Sequence, residues 1–294
     1  MLFVLCRDIS PAMEQCELTH IDRVPLSVAK CREQHKSYVA VFESMIRDGH
    51  KIRLVHAPAL AQFPDSVFVE DVALCFPELV ILTRPGAASR RDEVLHIESP
   101  LQSLYLDVQT PMPRLTDPAC CDGGDVLVVG QWVFVGLSTR TNMEGVEQLS
   151  RILAPYSQYK VIPLRVKQSL HLKSAASMIT EQCVLVNPAW VDETEFTRRG
   201  LSVIHVDPAE PHSANILSFV SVSPSQRIER TVVVPMAFPN LAQRLQPLVQ
   251  SGVIHRCDVI DVSEIAKAEG ALTCCSLLRF ISSKATSMVL LSRM

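Results

Sequence analysis

The chain has 294 residues, of which 48% are hydrophobic and 20% are charged, and its formal net charge is −3. This composition is typical of a globular protein and excludes the disordered class, which combines low hydrophobicity with high charge. The slightly acidic balance argues against nucleic acid as a partner, because phosphate backbones are bound through basic surfaces. A small molecule is therefore the expected partner class.

The beginning of the chain predicts a cytoplasmic protein, in which the cysteines stay reduced. The first residues, MLFVLCRDIS, contain a short apolar run with neither a basic region before it nor a cleavage site, so we predict a buried strand instead of a signal peptide. No stretch reaches the ~18 apolar residues of a membrane span. Ten cysteines are expected to stay reduced, and their spacing does not fit a structural zinc site.

Strand patterns alternate with helix patterns along the whole chain. The clearest helix lies within residues 26–47, where apolar residues repeat at helical spacing, and it ends at Asp48-Gly49. Predicted strands lie at 67–76, 79–83, 126–129, 132–135, 183–187 and 231–235. Several of them form close pairs that are typical of hairpins, and helix-like stretches follow at 87–96, 142–153 and 240–249.

A unit of roughly fifty residues recurs along the chain. Each unit consists of a polar residue that leads into a pair of strands, followed by a helical stretch. The leading residues are Glu70, Asp122, His171, Asn215 and Cys274. No Gly/Ser-rich linker divides the chain, so we predict one domain built from repeats. If the repeats are radial, the leading residues converge at the centre and form a natural active site.

Three short segments contain the groups that a cysteine hydrolase needs, namely a nucleophilic thiol, a histidine and an orienting carboxylate. Residues 170–174 place His171 among apolar neighbours, residues 121–125 place two carboxylates around a glycine pair, and residues 272–276 contain Cys274 and Cys275. Taken singly, each segment also fits a structural role, such as a buried histidine or a turn.

A fourth segment points to a cationic partner. Asp65, Glu70 and Asp71 accompany an apolar strand, and a buried carboxylate is unfavourable unless it is paired. One alternative is an internal arginine, since three of them follow closely: Arg84, Arg90 and Arg91. The other is a ligand, and a planar guanidinium suits paired carboxylates best.

These segments resemble the dimethylarginine dimethylaminohydrolases of the guanidine-modifying, or pentein, superfamily, from about residue 2 to residue 280. The motifs that carry the resemblance are FPDSVFVED (63–71), ILTRPGAASRRDEV (81–94), DGGDVLVVG (122–130), FVGLSTRTNMEG (134–145), LHLKSA (170–175) and LTCCS (272–276). The resemblance implies a single-domain α/β fold, a five-bladed propeller of ββαβ repeats over residues 1–280, with a C-terminal tail at 281–294.

The resemblance also implies the catalytic residues. Cys274 corresponds to the nucleophile, His171 to the general acid and base, and Asp122 to the carboxylate that completes the triad. Asp71 and Asp122 are expected to hold the substrate's guanidinium group, with Glu70 close by.

The remaining implied residues bind the amino acid part of the substrate. Arg90 and Arg140 correspond to the clamp on the α-carboxylate. The α-amino group is expected to meet Asp65 and the backbone carbonyls of Leu18 and Ala268. Leu18 lies in a segment that corresponds to the family's mobile lid.

The implied reaction is hydrolysis of asymmetric dimethylarginine or monomethylarginine to citrulline and dimethylamine or methylamine. Cys274 attacks the guanidinium carbon and forms a covalent thiouronium intermediate, and His171 protonates the leaving amine and then activates water. A thiol must ionise before it attacks, so the substrate's own positive charge, with His171 nearby, is expected to stabilise the thiolate. No cofactor is required. A zinc ion bound by Cys274 and His171 would inhibit the enzyme. For the oligomeric state, a homodimer is one alternative.

Two other functions remain as alternatives. An arginine deiminase acting on free arginine is one, although that family is generally longer and usually has Glu where Asp122 stands. The other is a catalytically silent pentein that binds a partner, against which the complete Cys/His/Asp set argues. The last three residues, Ser-Arg-Met, resemble a variant of the S-K-L peroxisomal address.

Overall fold

The computed structural model describes residues 1–104 and 110–281, in which short strands alternate with helices. The strands are β1 (Leu2–Arg7), β2 (Ile52–Ala57), β3 (Ala73–Cys75), β4 (Val80–Leu82), β5 (Val126–Val129), β6 (Trp132–Leu137), β7 (Lys160–Arg165), β8 (Ala176–Thr180), β9 (Cys183–Val186), β10 (Ser202–His205), β11 (Leu217–Val222), β12 (Ile228–Pro235), β13 (Arg256–Ile260) and β14 (Ser276–Phe280). The α-helices are α1 (Val28–Arg47), α2 (Glu98–Leu104), α3 (Met143–Leu153), α4 (Leu172–Ala175), α5 (Thr194–Thr197), α6 (Pro239–Gln250) and α7 (Ser263–Ala266). Short 3-10 helices lie at Met13–Gln15, Val69–Val72, Ala88–His96, Gly123–Asp125 and Thr273–Cys275.

Three sheets follow one plan, in which an antiparallel pair of strands is extended by a parallel third strand. The strand orders are β5-β6-β7, β8-β9-β10 and β11-β12-β13. Parallel neighbours require a crossover, usually a helix, and α3, α5 and α6 provide it. These sheets confirm the ββαβ repeat.

The other two sheets keep the same plan with small variations. β3 pairs antiparallel with β4, and an isolated parallel bridge from Leu82 to Arg114 stands where the third strand would be. The fifth sheet joins the two ends of the described chain: β14 pairs antiparallel with β1, and β1 pairs parallel with β2. α1 makes that crossover. The described residues thus form five sheets from repeats of about fifty residues, as the sequence predicts.

One cavity of about 180 Å³ lies between the sheets, and the first strand of every sheet lines it. The strands that contribute are β3, β5, β8, β11 and β14. Five strands around one cavity are what a radial arrangement requires. The mixed α/β fold in a single domain is confirmed, and this cavity supports the five-bladed propeller, which stays a prediction.

Helix α1 shows how the local sequence builds the core. The Ser27 side chain caps its beginning by accepting a hydrogen bond from the backbone N–H of Lys30 at 3.3 Å. One face buries Tyr38 and Phe42 against the sheets. After the helix, Gly49 adopts φ +87°, a conformation that favours glycine. The predicted helix within 26–47 is confirmed.

The predicted strand at 67–76 is wrong over most of its length. Only Ala73–Cys75 is a strand, and Val69–Val72 is a 3-10 helix. In a strand, Glu70 and Asp71 would point to opposite faces of one sheet, and each needs a buried partner. The tighter turn lets each carboxylate reach a partner of its own.

The remaining sequence predictions agree with the structure in position, and one differs in type. The first strand is β1, and the other predicted strands overlap β4, β5, β6, β9 and β12. The helix-like stretches at 142–153 and 240–249 are α3 and α6, whereas 87–96 is the 3-10 helix Ala88–His96. Helix α2 was not predicted.

Nothing in the described ranges reaches the length and apolarity that a bilayer-crossing helix requires. Ile281 is the last described residue, and its backbone N–H donates to the carbonyl of Met1 at 3.0 Å. The rest of the predicted tail, with its Ser-Arg-Met sequence, lies outside the described residues.

Replacing Phe42 by alanine should lower the free energy of unfolding by about 3–5 kcal/mol, because it removes a large buried ring. The ring is fully buried and lies 5.7 Å from that of Tyr38 and 5.2 Å from that of Phe219, between centroids. Urea unfolding measures the change. Ile46→Ala is the matched control on the same helix, where a side chain that is 39% exposed should matter little. Equal losses in the two variants would contradict this account of the core.

Candidate active site

The polar residues that lead the sheets lie on short turns just before the first strands. The 3-10 helices Val69–Val72, Gly123–Asp125 and Thr273–Cys275 precede β3, β5 and β14, and His171 stands at the beginning of α4, which precedes β8. Because these strands surround one cavity, their leading residues meet. Asp122 and His171 lie 3.0 Å apart, for example, and His171 and Cys274 line one small cavity. The predicted convergence of the repeats is therefore confirmed.

His171 and Asp122 form a buried pair. The Nε2 atom of His171 lies 3.0 Å from Oδ2 of Asp122, and Asp122 has no exposed surface. The other oxygen of Asp122 accepts the backbone N–H of Gly86 at 2.8 Å. Asp125 accepts the backbone N–H of Leu172 at 2.9 Å and so fixes the chain directly after the histidine. The imidazole is thus held in one orientation.

The carboxylate of Asp71, on the Val69–Val72 turn, lies beside the His171–Asp122 pair. Its Oδ2 atom accepts a hydrogen bond from Nη1 of Arg90 at 2.5 Å, and its Oδ1 atom accepts the N–H of Gly124 at 3.0 Å. Gly124 also contacts His171 closely, since a Cβ atom there would lie 2.4 Å from Nδ1 of the ring. Only glycine allows this approach.

The charges of this group determine its protonation. Burial by itself would lower the pKa of His171, but the negative charge of Asp71 and the hydrogen bond to Asp122 raise it to about 9. Burial would likewise raise the pKa of Asp71, yet the positive charges of His171 and Arg90 lower it to about 2. At neutral pH the imidazole is therefore a cation beside an anionic carboxylate.

Cys274 lies on the Thr273–Cys275 turn with 8% of its surface exposed, whereas Cys275 is fully buried. Burial and the negative charges of Glu70 and Asp71 raise the pKa of the Cys274 thiol well above its ordinary value. The thiol is consequently neutral when no cation is bound. The first cysteine of the pair is the one that lines a second, smaller cavity, which is distinct from the central cavity between the sheets.

Glu70 points away from this cavity. It accepts hydrogen bonds from Lys173 at 2.6 Å and from Thr273 at 2.8 Å, and it lines the central cavity between the sheets instead. Asn215 donates to Thr273 at 3.0 Å. These residues link the turn of Cys274 to the neighbouring repeats.

A small cavity of about 20 Å³ lies over the thiol, and it contains most of the predicted site residues. Its lining residues are Glu17, Asp65, Phe68, Asp71, Arg90, Arg140, Leu170, His171, Ala268, Glu269 and Cys274. Asp122 stands behind His171 and does not line the cavity. Leu18 does not line it either; its neighbour Glu17 does.

Sequence reasoning missed four of the lining residues: Glu17, Phe68, Leu170 and Glu269. Leu170 and Phe68 lie within recognised motifs, but apolar residues there also fit a core role. Glu17 and Glu269 stand on irregular segments, where sequence pattern gives no orientation for a side chain. Their roles depend on contacts between distant parts of the chain.

Arg90 is bound within the protein. Its guanidinium donates to Asp71 and to Glu93, at 2.9 Å for the Nη2 contact, and to the carbonyl of Phe68 at 3.0 Å. For Asp71, the structure therefore supports the internal arginine that the sequence left as an alternative. The carboxylate clamp by Arg90 stays a prediction, and in this state the guanidinium is already occupied.

Arg140 and Asp65 both contact the segment 17–21. Nη2 of Arg140 donates to the hydroxyl of Thr19 at 2.6 Å, and Nη1 lies 3.8 Å from Asp122. The carboxylate of Asp65 accepts the backbone N–H of Glu17 at 3.0 Å. Both side chains line the cavity and are buried. They are two of the groups that hold this segment over the site.

One group of candidate metal ligands occurs in the described residues, formed by Asp71, Asp122 and His171, with ligand atoms within 4.8 Å of one another. Cys274 is not a member of it. Each of the three already has a partner, because Asp71 is paired with Arg90 and Asp122 with His171. The inhibitory zinc at Cys274 and His171 stays a prediction.

The comparisons with known proteins agree with this geometry. The family model described as arginine deiminase matches residues 56–217. The N(G),N(G)-dimethylarginine dimethylaminohydrolase of Pseudomonas aeruginosa is 30% identical, over 85% of this chain and 88% of that protein. The enzyme of the same name from Streptomyces coelicolor is also 30% identical, over 93% and 95%.

Solved structures lead to the same relatives. The Pseudomonas aeruginosa enzyme, as a cysteine-to-serine mutant complexed with citrulline, has a TM-score of 0.81 at 28% identity and covers 94% of this chain and 98% of its own. The N-terminal domain of ArgZ, a cyanobacterial arginine dihydrolase, has a TM-score of 0.70 at 16% identity, over 95% and 98%, and so shares the fold.

Two relatives at this identity, each matched over most of both chains, are sufficient to assign the family. The assignment agrees with the geometry of the site, in which His171 and Asp122 form a buried pair and the thiol of Cys274 lines the same cavity as His171. The chain belongs to the dimethylarginine dimethylaminohydrolase family of the pentein superfamily.

Proposed function

We propose that this chain hydrolyses asymmetric dimethylarginine and monomethylarginine to citrulline and the corresponding methylamine, through a thiouronium intermediate on Cys274. The observation that carries the proposal is the composition of one small cavity. A thiol, an imidazole and the carboxylate of Asp71 line it together with the guanidinium of Arg140. The family relatives, which are named for this reaction, support it.

Asp71 is the proposed anchor for the substrate's guanidinium. A carboxylate has about four lone-pair sites, and Arg90 and the N–H of Gly124 occupy one on each oxygen. The two remaining sites are available to a second planar cation. Bidentate hydrogen bonds of this kind fix the plane of a guanidinium, and the thiol then approaches the carbon from the face of that plane.

The substrate's own charge activates Cys274. Before binding, burial and the nearby carboxylates keep the thiol protonated. A bound guanidinium adds a positive charge beside the sulfur and favours the thiolate, which is the nucleophilic form. The thiolate attacks the guanidinium carbon and forms a C–S bond. The free enzyme thus exposes no reactive thiolate until a cationic substrate is in place.

His171 supplies and takes up the protons. With a pKa of about 9 the imidazole is protonated at neutral pH, so it donates a proton to the departing amine as the C–N bond breaks. The neutral ring then accepts a proton from water, which attacks the thiouronium carbon and breaks the C–S bond. The last hydroxyl proton of the tetrahedral carbon passes to the sulfur as the C–S bond breaks, which restores the thiol, and His171 is again the imidazolium. The products are citrulline and the amine, which is protonated by the proton that the thiol released to solvent when the substrate bound.

One assay tests the proposal against its alternatives. Citrulline release is measured with asymmetric dimethylarginine, monomethylarginine and arginine, side by side. Release from the methylated substrates supports the proposal. Release from arginine alone would make the chain an arginine deiminase, and no release from any of the three would favour a silent binding module.

Cys274→Ser should abolish turnover and leave the fold intact, because it removes the nucleophile and little volume. Cys275→Ser is the matched control: this side chain is fully buried, and its sulfur contacts the carbonyl of Ala271 at 3.6 Å. It should retain substantial activity. Citrulline release and thermal melting of both variants make the comparison, and equal loss of activity would contradict the assignment of the first cysteine.

His171 should titrate near pH 9 in the free enzyme, and Asp71→Asn should move the transition to lower pH. The reason is that the negative charge of Asp71 opposes burial, which favours the neutral ring. NMR of the imidazole, recorded in the Cys274→Ser variant, measures both values. Asp192→Asn, at an exposed site, is the control. An unchanged titration after Asp71→Asn would refute this electrostatic account.

Arg140→Lys should lower kcat/KM for asymmetric dimethylarginine by about tenfold or more, because lysine cannot reproduce a bidentate contact with a carboxylate. Methylguanidine lacks the α-carboxylate, so any residual rate on it should barely change. Steady-state kinetics on both compounds test this. A similar fractional loss on the two would show that Arg140 acts on the catalytic end or on the fold.

A further inference from the structure

The carboxylate of Glu269 gathers three successive backbone N–H groups from the segment 17–21, which we call the lid. Thr19 donates to both of its oxygens, at 3.1 and 3.0 Å, and Ile21 donates at 2.8 Å. The N–H of His20, between them, donates to the same carboxylate. Successive N–H groups that point to one side form an anion-binding concavity, and here a side chain 248 residues away in sequence fills it.

At its beginning the lid has other carboxylate contacts, one of them through Glu17 itself, whose carboxylate accepts the hydroxyl of Ser89 at 2.8 Å. Asp65 accepts the N–H of Glu17 at 3.0 Å, and Arg140 donates to the Thr19 hydroxyl at 2.6 Å. Both are buried residues that line the cavity. The lid is therefore held at two points by carboxylates, and between them it contacts an arginine of the proposed substrate site.

Hydrogen bonds, more than apolar burial, keep the lid in place. The side chains of Glu17, Thr19, His20 and Ile21 are exposed, and only that of Leu18 is partly buried against the core. Hydrogen bonds to a charged group are among the strong ones. Removing the charge at Glu269 should accordingly release most of this segment.

The cavity beneath the lid is too small for the proposed substrate. Its volume of about 20 Å³ contrasts with the ~300–1,000 Å³ of ordinary ligand sites. Glu17 and Glu269, one on the lid and one beneath it, both line this space. In this structure the lid therefore covers the cavity and leaves no room for the proposed substrate.

The backbone around Glu269 is constrained. Glu269 adopts φ +55°, which side-chain-bearing residues seldom do, and a Cβ at the next residue, Gly270, would lie 2.3 Å from the ring of Phe68. The preceding residue, Ala268, lines the cavity. Such conformations persist where the surroundings enforce them and are common at ligand clamps.

We infer that Glu269 is a positioning residue: its carboxylate is a latch that closes the lid over the cavity and thereby keeps Thr19 on Arg140 and the lid backbone against the substrate. The inference deepens the proposed function, on which its kinetic part rests. Glu269 itself takes no part in bond breaking. Its loss should weaken substrate binding far more than it slows the chemical step.

Amide hydrogen exchange of the free protein tests the latch without any substrate. In Glu269→Ala, exchange of the Thr19, His20 and Ile21 amides should accelerate by about tenfold or more, since three N–H groups lose a charged acceptor. Glu269→Gln keeps an oxygen acceptor without the charge, so the exchange rates of these amides should lie between those of the wild type and of Glu269→Ala. Thermal melting of both variants verifies that they fold.

Glu264→Ala is the matched control. This carboxylate also holds a backbone N–H near the start of the chain, that of Ser27 at 2.6 Å, but it lies beyond the lid. Exchange of residues 19–21 should stay unchanged in this variant. Unchanged exchange in Glu269→Ala, or equal acceleration in Glu264→Ala, would overturn the latch.

Steady-state kinetics test the positioning role. For asymmetric dimethylarginine, Glu269→Ala should raise KM about tenfold and keep kcat within about threefold, the pattern of lost binding. Glu269→Gln should recover part of the loss. An unchanged KM with a released lid would overturn the positioning role. A wild-type chain inactive on this substrate would refute the proposed function, while the exchange experiment would still decide the latch.

Discussion

Buried negative charge is the constraint on which the centre of this molecule depends. Four carboxylates lie where the first strands of the sheets begin, and all of them are buried: Glu70, Asp71, Asp122 and Asp125. A buried charge is strongly unfavourable unless it is paired and hydrogen-bonded. Each of these therefore has its own partner, namely a lysine, an arginine, a histidine and a set of hydroxyl and backbone N–H donors. The pairs connect neighbouring repeats and fix their relative positions.

The same charges prepare the site for a cation. They hold His171 in the protonated form and keep the Cys274 thiol neutral. A neutral thiol near carboxylates becomes a nucleophile when a positive charge arrives, and an uncharged molecule gives it no such help. Under the proposed function, selectivity for a guanidinium follows from the electrostatics of the site, in addition to any fit of shape.

Close backbone approach makes this dense arrangement sterically feasible. Gly124 leaves room for the ring of His171, and Gly86, whose N–H holds Asp122, lies so near the backbone of Arg140 that a Cβ would come within 2.4 Å of its carbonyl oxygen. Any larger residue would separate the charges that must pair. The closely packed floor of the cavity thus contrasts with the lid, whose side chains are mostly exposed and which is held in place by hydrogen bonds to Glu269.

The sequence by itself determined the repeat, half of the described strands, the long helix α1 and the residues that lead each sheet, because apolar periodicity and turn residues act over a few neighbours. It also pointed to the thiol, the imidazole and Asp122 through family motifs. Only the tertiary structure decided that Glu70 and Asp71 lie on a turn, that Asp71 pairs with Arg90 and Glu70 with Lys173, and that Glu269 holds the lid. The physical reason is that a buried charge selects its partner by distance in space, and residues far apart in the chain supply those partners.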